Sequence, residues 1–343
     1  MIKIGVNGFG RIGRAIAKIN GLKERFRLVA INDVDPYLDN LAYLFKYDST
    51  YGKFNGSVEW GANRLIINNN PSVYSSNKDI LEVDWKKTGV DIIIDSSGVS
   101  ANIEKSRILI AMGIVKKVII THSSDIVDKE VIMGINDDQL QPEDNIVSNS
   151  ICDANAIAHV LKWIDEEYGI DSGSVTTLHP WLSYQNLVDG PSLSRSKPGV
   201  VWKDYALGRA GSCSLIPKNT TAVEATEKVL PGIKGKLLSF SYRVPTSIVA
   251  SSDITLKPIR CPNSVQLKSY IESRILSSPY VGANHESLVS VDYLKEELST
   301  IVDFQWLKVA NGLMKIILWY DNEWGYSCRV LDLAEKLSRV GWL

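Results

Sequence analysis

The chain has 343 residues, with 38 Lys+Arg against 39 Asp+Glu and a net charge of −1, a length that corresponds to about two ordinary domains. Hydrophobic residues make up 45% and charged residues 22%, the balance of a globular protein and not of a disordered or membrane-embedded chain. The near-neutral total supplies no sequence-wide electrostatic footprint for nucleic acid or an anionic membrane, so neither is an expected partner.

From the N-terminus, short apolar β-branched runs recur at residues 2–6, 28–31, 92–94, 118–121 and 146–147, separated by amphipathic stretches. That rhythm predicts a doubly wound parallel sheet covered on both faces. The chain enters the first run without a basic region and apolar leader, and no stretch approaches ~18 apolar residues, so a cytoplasmic protein is expected. Directly after the first run stands Gly8-Phe9-Gly10-Arg11-Ile12-Gly13, followed by a helix-compatible segment. Glycines so spaced allow a tight turn, close approach to a pyrophosphate and tight helix–strand packing, while a helix N-terminus offers free N–H groups to the anion. A plain βα turn accounts for Gly8 alone. Asp33 lies twenty residues past Gly13, after the second run, where a carboxylate binds the adenosine ribose hydroxyls and repels a 2′-phosphate. These residues together predict a dinucleotide site, with NAD preferred over NADP.

Cys152 comes next, in SNSICDAN at 148–155, at the start of a helix predicted over 154–168 and ended by Gly169. A helix N-terminus favours the thiolate, the form that attacks carbonyl carbon, but a buried structural cysteine fits the position equally well. His179, closing the strand-like VTTLH, favours the nucleophile, because a Cys and His pair suits attack on an aldehyde with proton abstraction by imidazole. His159, off the apolar face of its helix, and His285, in a polar stretch, read as structural; His122, after a strand near the nucleotide crevice, is less decided. Residues 181–211 carry little periodicity, and an irregular segment of that length is usually functional. Partial alternation at 238–244 and 247–256 predicts strands with one wet face, hence a second, α+β domain. Cys213, Cys261 and Cys328 complete the cysteines. The four are far apart, without CxxC or zinc-ligand spacing, so reduced thiols are expected and a structural metal is not.

The chain resembles the glyceraldehyde-3-phosphate dehydrogenase family, which includes erythrose-4-phosphate dehydrogenase. The resemblance runs through IGVNGFGRIGR at 4–14, AIND at 30–33, residues 148–155, residues 176–191 around His179 and VDGP, YRVPT at 242–246 and WYDNEWGY at 319–326. It implies an α/β protein: an NAD-binding Rossmann domain over 1–150, a catalytic domain over 151–320 with a mostly antiparallel sheet and an S-shaped loop at about 180–211, and a C-terminal helix over 321–343 returning to the NAD domain. A homotetramer is also implied. Residue by residue, it makes Cys152 the nucleophile, His179 its base and Asn322 the holder of the nicotinamide carboxamide. Gly8, Gly10, Arg11, Ile12, Gly13, Asp33, Ser97 and Thr121 are placed around the rest of NAD, and Arg243, Thr220 and Arg209 near substrate anions. The implied mechanism is thiohemiacetal formation on Cys152, hydride transfer to NAD and release of the thioester by phosphate.

Departures from the family pattern cluster at the anion sites. The family reads SCTTN where this chain has Ile151-Cys152-Asp153-Ala154-Asn155, so two hydroxyls that help bind attacking phosphate are replaced by an isoleucine and a carboxylate. Leu182 and Tyr184 stand where a threonine and a threonine or aspartate help hold the substrate phosphate, and Leu207 stands where an arginine is common. Three functions therefore compete: a dehydrogenase retuned to another small aldehyde or another acyl acceptor, an ordinary phosphorylating enzyme whose anion sites are restored by Arg195 or Arg209, and a non-catalytic NAD-binding protein.

Overall fold

In the computed structural model, which describes residues 1–194 and 196–339, two sheets divide the chain. The first is built from β1 (Lys3–Asn7), β2 (Arg27–Asn32), β5 (Val58–Gly61), β6 (Arg64–Ile67), β7 (Asn70–Ser75), β8 (Ile92–Asp95), β9 (Lys117–Ile120), β10 (Lys129–Glu130) and β11 (Ile146–Ser148); β3 (Tyr47–Asp48) and β4 (Gly52–Lys53) form a separate ribbon. Helices α1 (Arg11–Lys23), α2 (Leu38–Lys46), α3 (Trp85–Thr88) and α4 (Asn102–Ala111) lie between these strands in sequence. The spatial order is β10-β11-β9-β8-β1-β2-β7-β6-β5. Pairing is parallel from β10 to β7, whereas β6 and β5 run antiparallel at one edge. The expected parallel sheet is thus extended by an antiparallel meander.

Ile92 and Ile94 pack with Ile4, Ile16 and Ile31 on one face, and Ile93 packs with Trp85, Ile103 and Val118 on the other. Burial on both faces is why this strand reads as an unbroken apolar run.

The second sheet comprises β12 (Ile170–Pro180), β13 (Ile216–Lys218), β14 (Leu237–Val244), β15 (Ala250–Pro258), β16 (Val281–Asn284), β17 (Thr300–Asp303), β18 (Lys308–Ala310) and β19 (Leu313–Tyr320). Its order is β13-β14-β12-β15-β19-β17-β16, mixed but mainly antiparallel. One face is covered by α5 (Cys152–Tyr168) through Ile157, Val160, Leu161 and Ile164, and by α7 (Ser264–Ile275), which follows α6 (Ala222–Val229) in the chain. Helix α5 begins two residues before its predicted start and is buried nearly all round, so His159 is enclosed between Trp163 and Tyr280, not off an apolar face. Helix α8 (Trp324–Arg339) returns to the first sheet, where Val330, Leu331, Leu333 and Leu337 join the core beside α1. No helix among the described residues is long and apolar enough to cross a membrane.

Candidate active site

The nucleotide crevice opens at the carboxyl ends of β1, β2 and β8, the switch point of an open parallel sheet. Gly8 has φ +89°, and a Cβ there would lie 2.5 Å from the Ser97 backbone; at Gly13 it would lie 2.1 Å from the Gly8 carbonyl oxygen. At Gly10, the N-cap of α1, there is open space, and no side chain caps the helix. Three glycines thus meet three different demands, and the first-turn N–H groups of Arg11 and Ile12 stay open to an anion. The Arg11 side chain faces elsewhere: its guanidinium donates to Glu323 at 2.6 Å and to Asp48 at 2.9 Å, so only its main chain serves the crevice. Asp33 accepts the Phe9 N–H at 2.5 Å and the Asp35 N–H at 3.1 Å, which fixes its carboxylate against the glycine loop. The Ser97 hydroxyl is held by Val99 and Asn102, and the Thr121 hydroxyl donates to the Asp95 carbonyl.

Asn322 sits between β19 and α8. Its neighbour Asp321 accepts the N–H groups of Glu323 and Trp324 and the Tyr51 hydroxyl, which pins the turn. The Asn322 Oδ1 is buried without a hydrogen-bond partner among the described residues. An unsatisfied buried amide oxygen costs about 1–3 kcal/mol and fits a ligand N–H donor. The open α1 terminus, the fixed Asp33 and this orphaned amide all fit a bound dinucleotide.

At the start of α5, Ser150 holds φ +55°, a conformation L-residues seldom adopt. It is secured by Ser148, by Glu130 at 2.6 Å and by Tyr326 on its carbonyl. The bend delivers Cys152 as the first helical residue, partly exposed, with Sγ 3.7 Å from His179 Nε2. The Nδ1 of His179 lies 2.8 Å from the Pro180 carbonyl, an obligate acceptor, so Nδ1 carries the proton and the Nε2 lone pair faces the sulfur.

Asp153, buried like His179, completes the trio: its Oδ1 lies 3.5 Å from Sγ and 4.0 Å from Nε2, and it accepts the Tyr320 hydroxyl at 2.8 Å. Burial, then the Asp153 charge, pushes the Cys152 thiol well above the ordinary cysteine range. Burial and the Arg243 charge bring the His179 imidazole down to about 4. Both directions favour the uncharged forms, a neutral thiol beside a neutral imidazole: desolvation and an adjacent carboxylate work against the pull of the helix N-terminus toward a thiolate.

Arg243 lies beside His179 in the β12–β14 register, buried, and donates to the Tyr184 hydroxyl at 3.1 Å. Tyr184 in turn meets Trp202 edge-on at 5.2 Å, so the hydroxyl that accepts from Arg243 belongs to an aromatic pair. The Thr220 hydroxyl accepts the Ala222 N–H at the start of α6. Arg209 stands apart: it is exposed and paired with Asp189 at 2.8 Å, and no hydrogen bond or ion pair joins it to Arg243 among the described residues. Arg195 lies outside the described residues. His122 is partly buried, with neither ring nitrogen partnered among the described residues, and His285 is exposed near Glu272.

Sequence reasoning missed Tyr320, Trp202 and Lys218, whose ammonium is near enough to Arg243 and Asp153 to feel both charges. Tyr320 was findable, since Met314, Ile316, Leu318 and Tyr320 form one inward-facing row on β19 that ends in a polar tip.

Residues 2–103 match the family model described as glyceraldehyde 3-phosphate dehydrogenase, NAD binding domain, and residues 151–322 match that described as its C-terminal domain. The chain is 38% identical to glyceraldehyde-3-phosphate dehydrogenase 1 of Kluyveromyces marxianus over 341 residues, covering 98% of this chain and 100% of the relative. It is 36% identical to glyceraldehyde-3-phosphate dehydrogenase 1 of Schizosaccharomyces pombe, over 97% and 96%. It is 35% identical to the cytosolic enzyme of Gracilaria gracilis, over 98% of each chain. With the glycine crevice, the orphaned Asn322 amide and the Cys152–His179 pair already in place, these matches make the chain a divergent member of the glyceraldehyde-3-phosphate dehydrogenase family, an NAD-dependent aldehyde oxidoreductase.

Proposed function

We propose that this dehydrogenase acts on an aldehyde other than glyceraldehyde 3-phosphate, or passes its acyl group to an acceptor other than phosphate. The observation that carries this reading is the Tyr184 hydroxyl on Arg243: the family resemblance expects a threonine or aspartate that helps hold substrate phosphate at this position, and here an aromatic side chain engages the arginine instead. Asp153 adds to it by placing a carboxylate against the nucleophile. The retained Arg243 with Lys218 nearby supports the alternative, an ordinary phosphorylating enzyme. A screen of phosphorylated and unphosphorylated aldehydes for NADH production, with and without inorganic phosphate, separates the two.

In the reaction, His179 Nε2 takes the Cys152 thiol proton as the sulfur attacks the aldehyde carbon, so charge separation is confined to the moment of attack. Pro180 holds the imidazole in the accepting tautomer throughout. A bound NAD would supply the hydride acceptor for the former aldehyde carbon. Asn322 would hold the carboxamide of the nicotinamide, Asp33 the adenosine ribose, and the N–H groups of Arg11 and Ile12 beside Gly8, Gly10 and Gly13 the pyrophosphate, with Ser97 and Thr121 lining the crevice. Arg243 and Thr220 face the substrate; Arg209 is the weakest of the anion assignments, given its exposure and its pairing with Asp189. The thioester on Cys152 then awaits its acceptor, and Asp153 disfavours a dianion there.

The chain is further read as a Rossmann domain over 1–150, a catalytic domain over 151–320 and a returning segment over 321–343. It is read as cytoplasmic, like its relative named cytosolic, and as a homotetramer, an assembly that would cover the exposed Leu187, Val188 and Tyr205 of the irregular loop.

NAD is expected to bind more tightly than NADP, and Asp33→Ala to narrow the gap while weakening NAD itself, because the same carboxylate anchors the glycine loop. Titration of both cofactors checks this, and equal affinities in the unmutated protein would refute the role. Asp153→Asn is expected to raise the rate of Cys152 alkylation by iodoacetamide at pH 7 by at least about fivefold. A like charge at ~4 Å is worth roughly 1 kcal/mol even in water-like surroundings. Site-resolved mass spectrometry reads the rate, and an unchanged value would remove Asp153 as the group that holds the thiol protonated.

A further inference from the structure

Cys152 Sγ, His179 Nε2 and Asp153 Oδ1 lie within 4.8 Å of one another, the only such His, Cys, Asp or Glu group of three or more among the described residues. We propose that this trio is an inhibitory site for a borderline-soft divalent cation, zinc in the first instance, which masks the nucleophile reversibly. The inference concerns the same residues as the catalytic pair but does not rest on the choice of aldehyde.

Geometry comes first. A tetrahedral zinc with Zn–S ~2.3 Å and Zn–N or Zn–O ~2.0–2.2 Å sets its ligand atoms roughly 3.3–3.6 Å apart. The edges here are 3.5 Å for sulfur to oxygen, 3.7 Å for sulfur to nitrogen and 4.0 Å for nitrogen to oxygen. Only the last has to close, by roughly half an ångström. The ligands are also oriented as metal ligands are. The Nδ1–H of His179 donates to Pro180, which turns the Nε2 lone pair inward, and the Tyr320 hydroxyl donates to the ligating carboxylate. Such outer partners fix the tautomer and ring orientation.

Chemistry agrees. Thiolate, imidazole and carboxylate form a mixed soft and hard donor set that suits zinc, with the fourth position left to water. Binding replaces the Cys152 S–H proton by the metal; that proton passes to solvent, and no group is oxidised or reduced. The thiolate and Asp153 together neutralise a dication, whereas Arg243 and Lys218 oppose it. Asp153 is the residue that makes the difference: a threonine hydroxyl in its place, as in SCTTN, would leave two strong ligands instead of three. Cysteine spacing could not disclose the site, because its ligands come from α5 and from the end of β12, and two of them are adjacent in sequence.

The test uses the full-length protein with the exposed Cys213 and Cys261 changed to serine, so that they do not bind metal. Zinc is titrated against a chromophoric chelator, and cobalt replaces zinc to report a thiolate-to-metal absorption band. One ion per chain is expected, with the band present. Cys152→Ser should abolish both, and Asp153→Asn should weaken zinc binding by at least tenfold while NAD titration shows the fold intact. Zinc should also stop aldehyde oxidation, and EDTA should restore it. Binding that survives Cys152→Ser, unchanged affinity in Asp153→Asn, or absence of the cobalt band would overturn the proposal. A cobalt band in a protein that oxidises no tested aldehyde would leave the metal site standing and remove the substrate reading.

Discussion

Cys152→Ser is expected to abolish turnover while leaving NAD binding within about threefold of wild type, because the sulfur makes the covalent adduct and touches none of the groups that frame the dinucleotide crevice. The directions of the two shifts, toward a neutral thiol and a neutral imidazole, sharpen the expectation. A thiol held above its ordinary range by burial and Asp153 still yields its proton to an imidazole 3.7 Å away during attack, whereas a serine hydroxyl, far less acidic, does not. His179→Asn should slow the chemistry by roughly 10²–10⁴-fold, the usual range for a positioned acid or base. Single-turnover NADH formation, with NAD affinity measured separately, distinguishes loss of chemistry from loss of cofactor. Activity of Cys152→Ser within tenfold of wild type would refute the covalent mechanism.

The parts of the fold legible in sequence are those whose patterns are set locally. The run at 28–31 becomes β2 at Arg27–Asn32, and the helix predicted to 168 does end there, where Gly169 takes a left-handed φ of +68° and bonds the Asp165 carbonyl. The β5–β7 meander escaped notice because its exposed residues follow no clean alternation, although Asn68 and Asn69, both at positive φ, carry the signal of a tight hairpin turn. At the site, residue identity gave the nucleophile and base, but not their protonation. That depends on how completely α5, β12 and β19 enclose the sulfur and on which group lies next to it, and a carboxylate one residue along the chain can point anywhere until Tyr320 fixes it. Arg11 is the converse case: the motif marks its place at the start of α1, while the partners of its side chain, Glu323 and Asp48, lie far off in sequence.

Glyceraldehyde 3-phosphate is expected to be a poor substrate, and inorganic phosphate to stimulate turnover weakly or not at all. Two changes act together. At the substrate-phosphate end, Leu182 offers no polar side-chain atom, and Tyr184 engages Arg243 through its hydroxyl while its ring packs on Trp202, so a phosphate would have to compete with that hydroxyl for the guanidinium. At the acceptor end, Ile151 removes a hydroxyl donor and Asp153 adds a buried negative charge 3.5 Å from the sulfur. If each missing charge-assisted hydrogen bond is worth ~1.5–3 kcal/mol, a few of them amount to several powers of ten in kcat/KM. The opposing influence is cationic: Arg243 keeps an Nε without a partner among the described residues, and Lys218 sits near it with its own proton affinity lowered by burial and by that neighbour. Against them stand a guanidinium that already donates to the Tyr184 hydroxyl and the loss of the hydroxyl partners that would shape the site around a phosphate. Steady-state assays with glyceraldehyde 3-phosphate across a phosphate series decide the matter. Saturable phosphate dependence with kcat/KM near ~10⁵ M⁻¹s⁻¹ or above, ordinary for an enzyme on its own substrate, would mean that Tyr184 swings aside and that this is a phosphorylating enzyme after all.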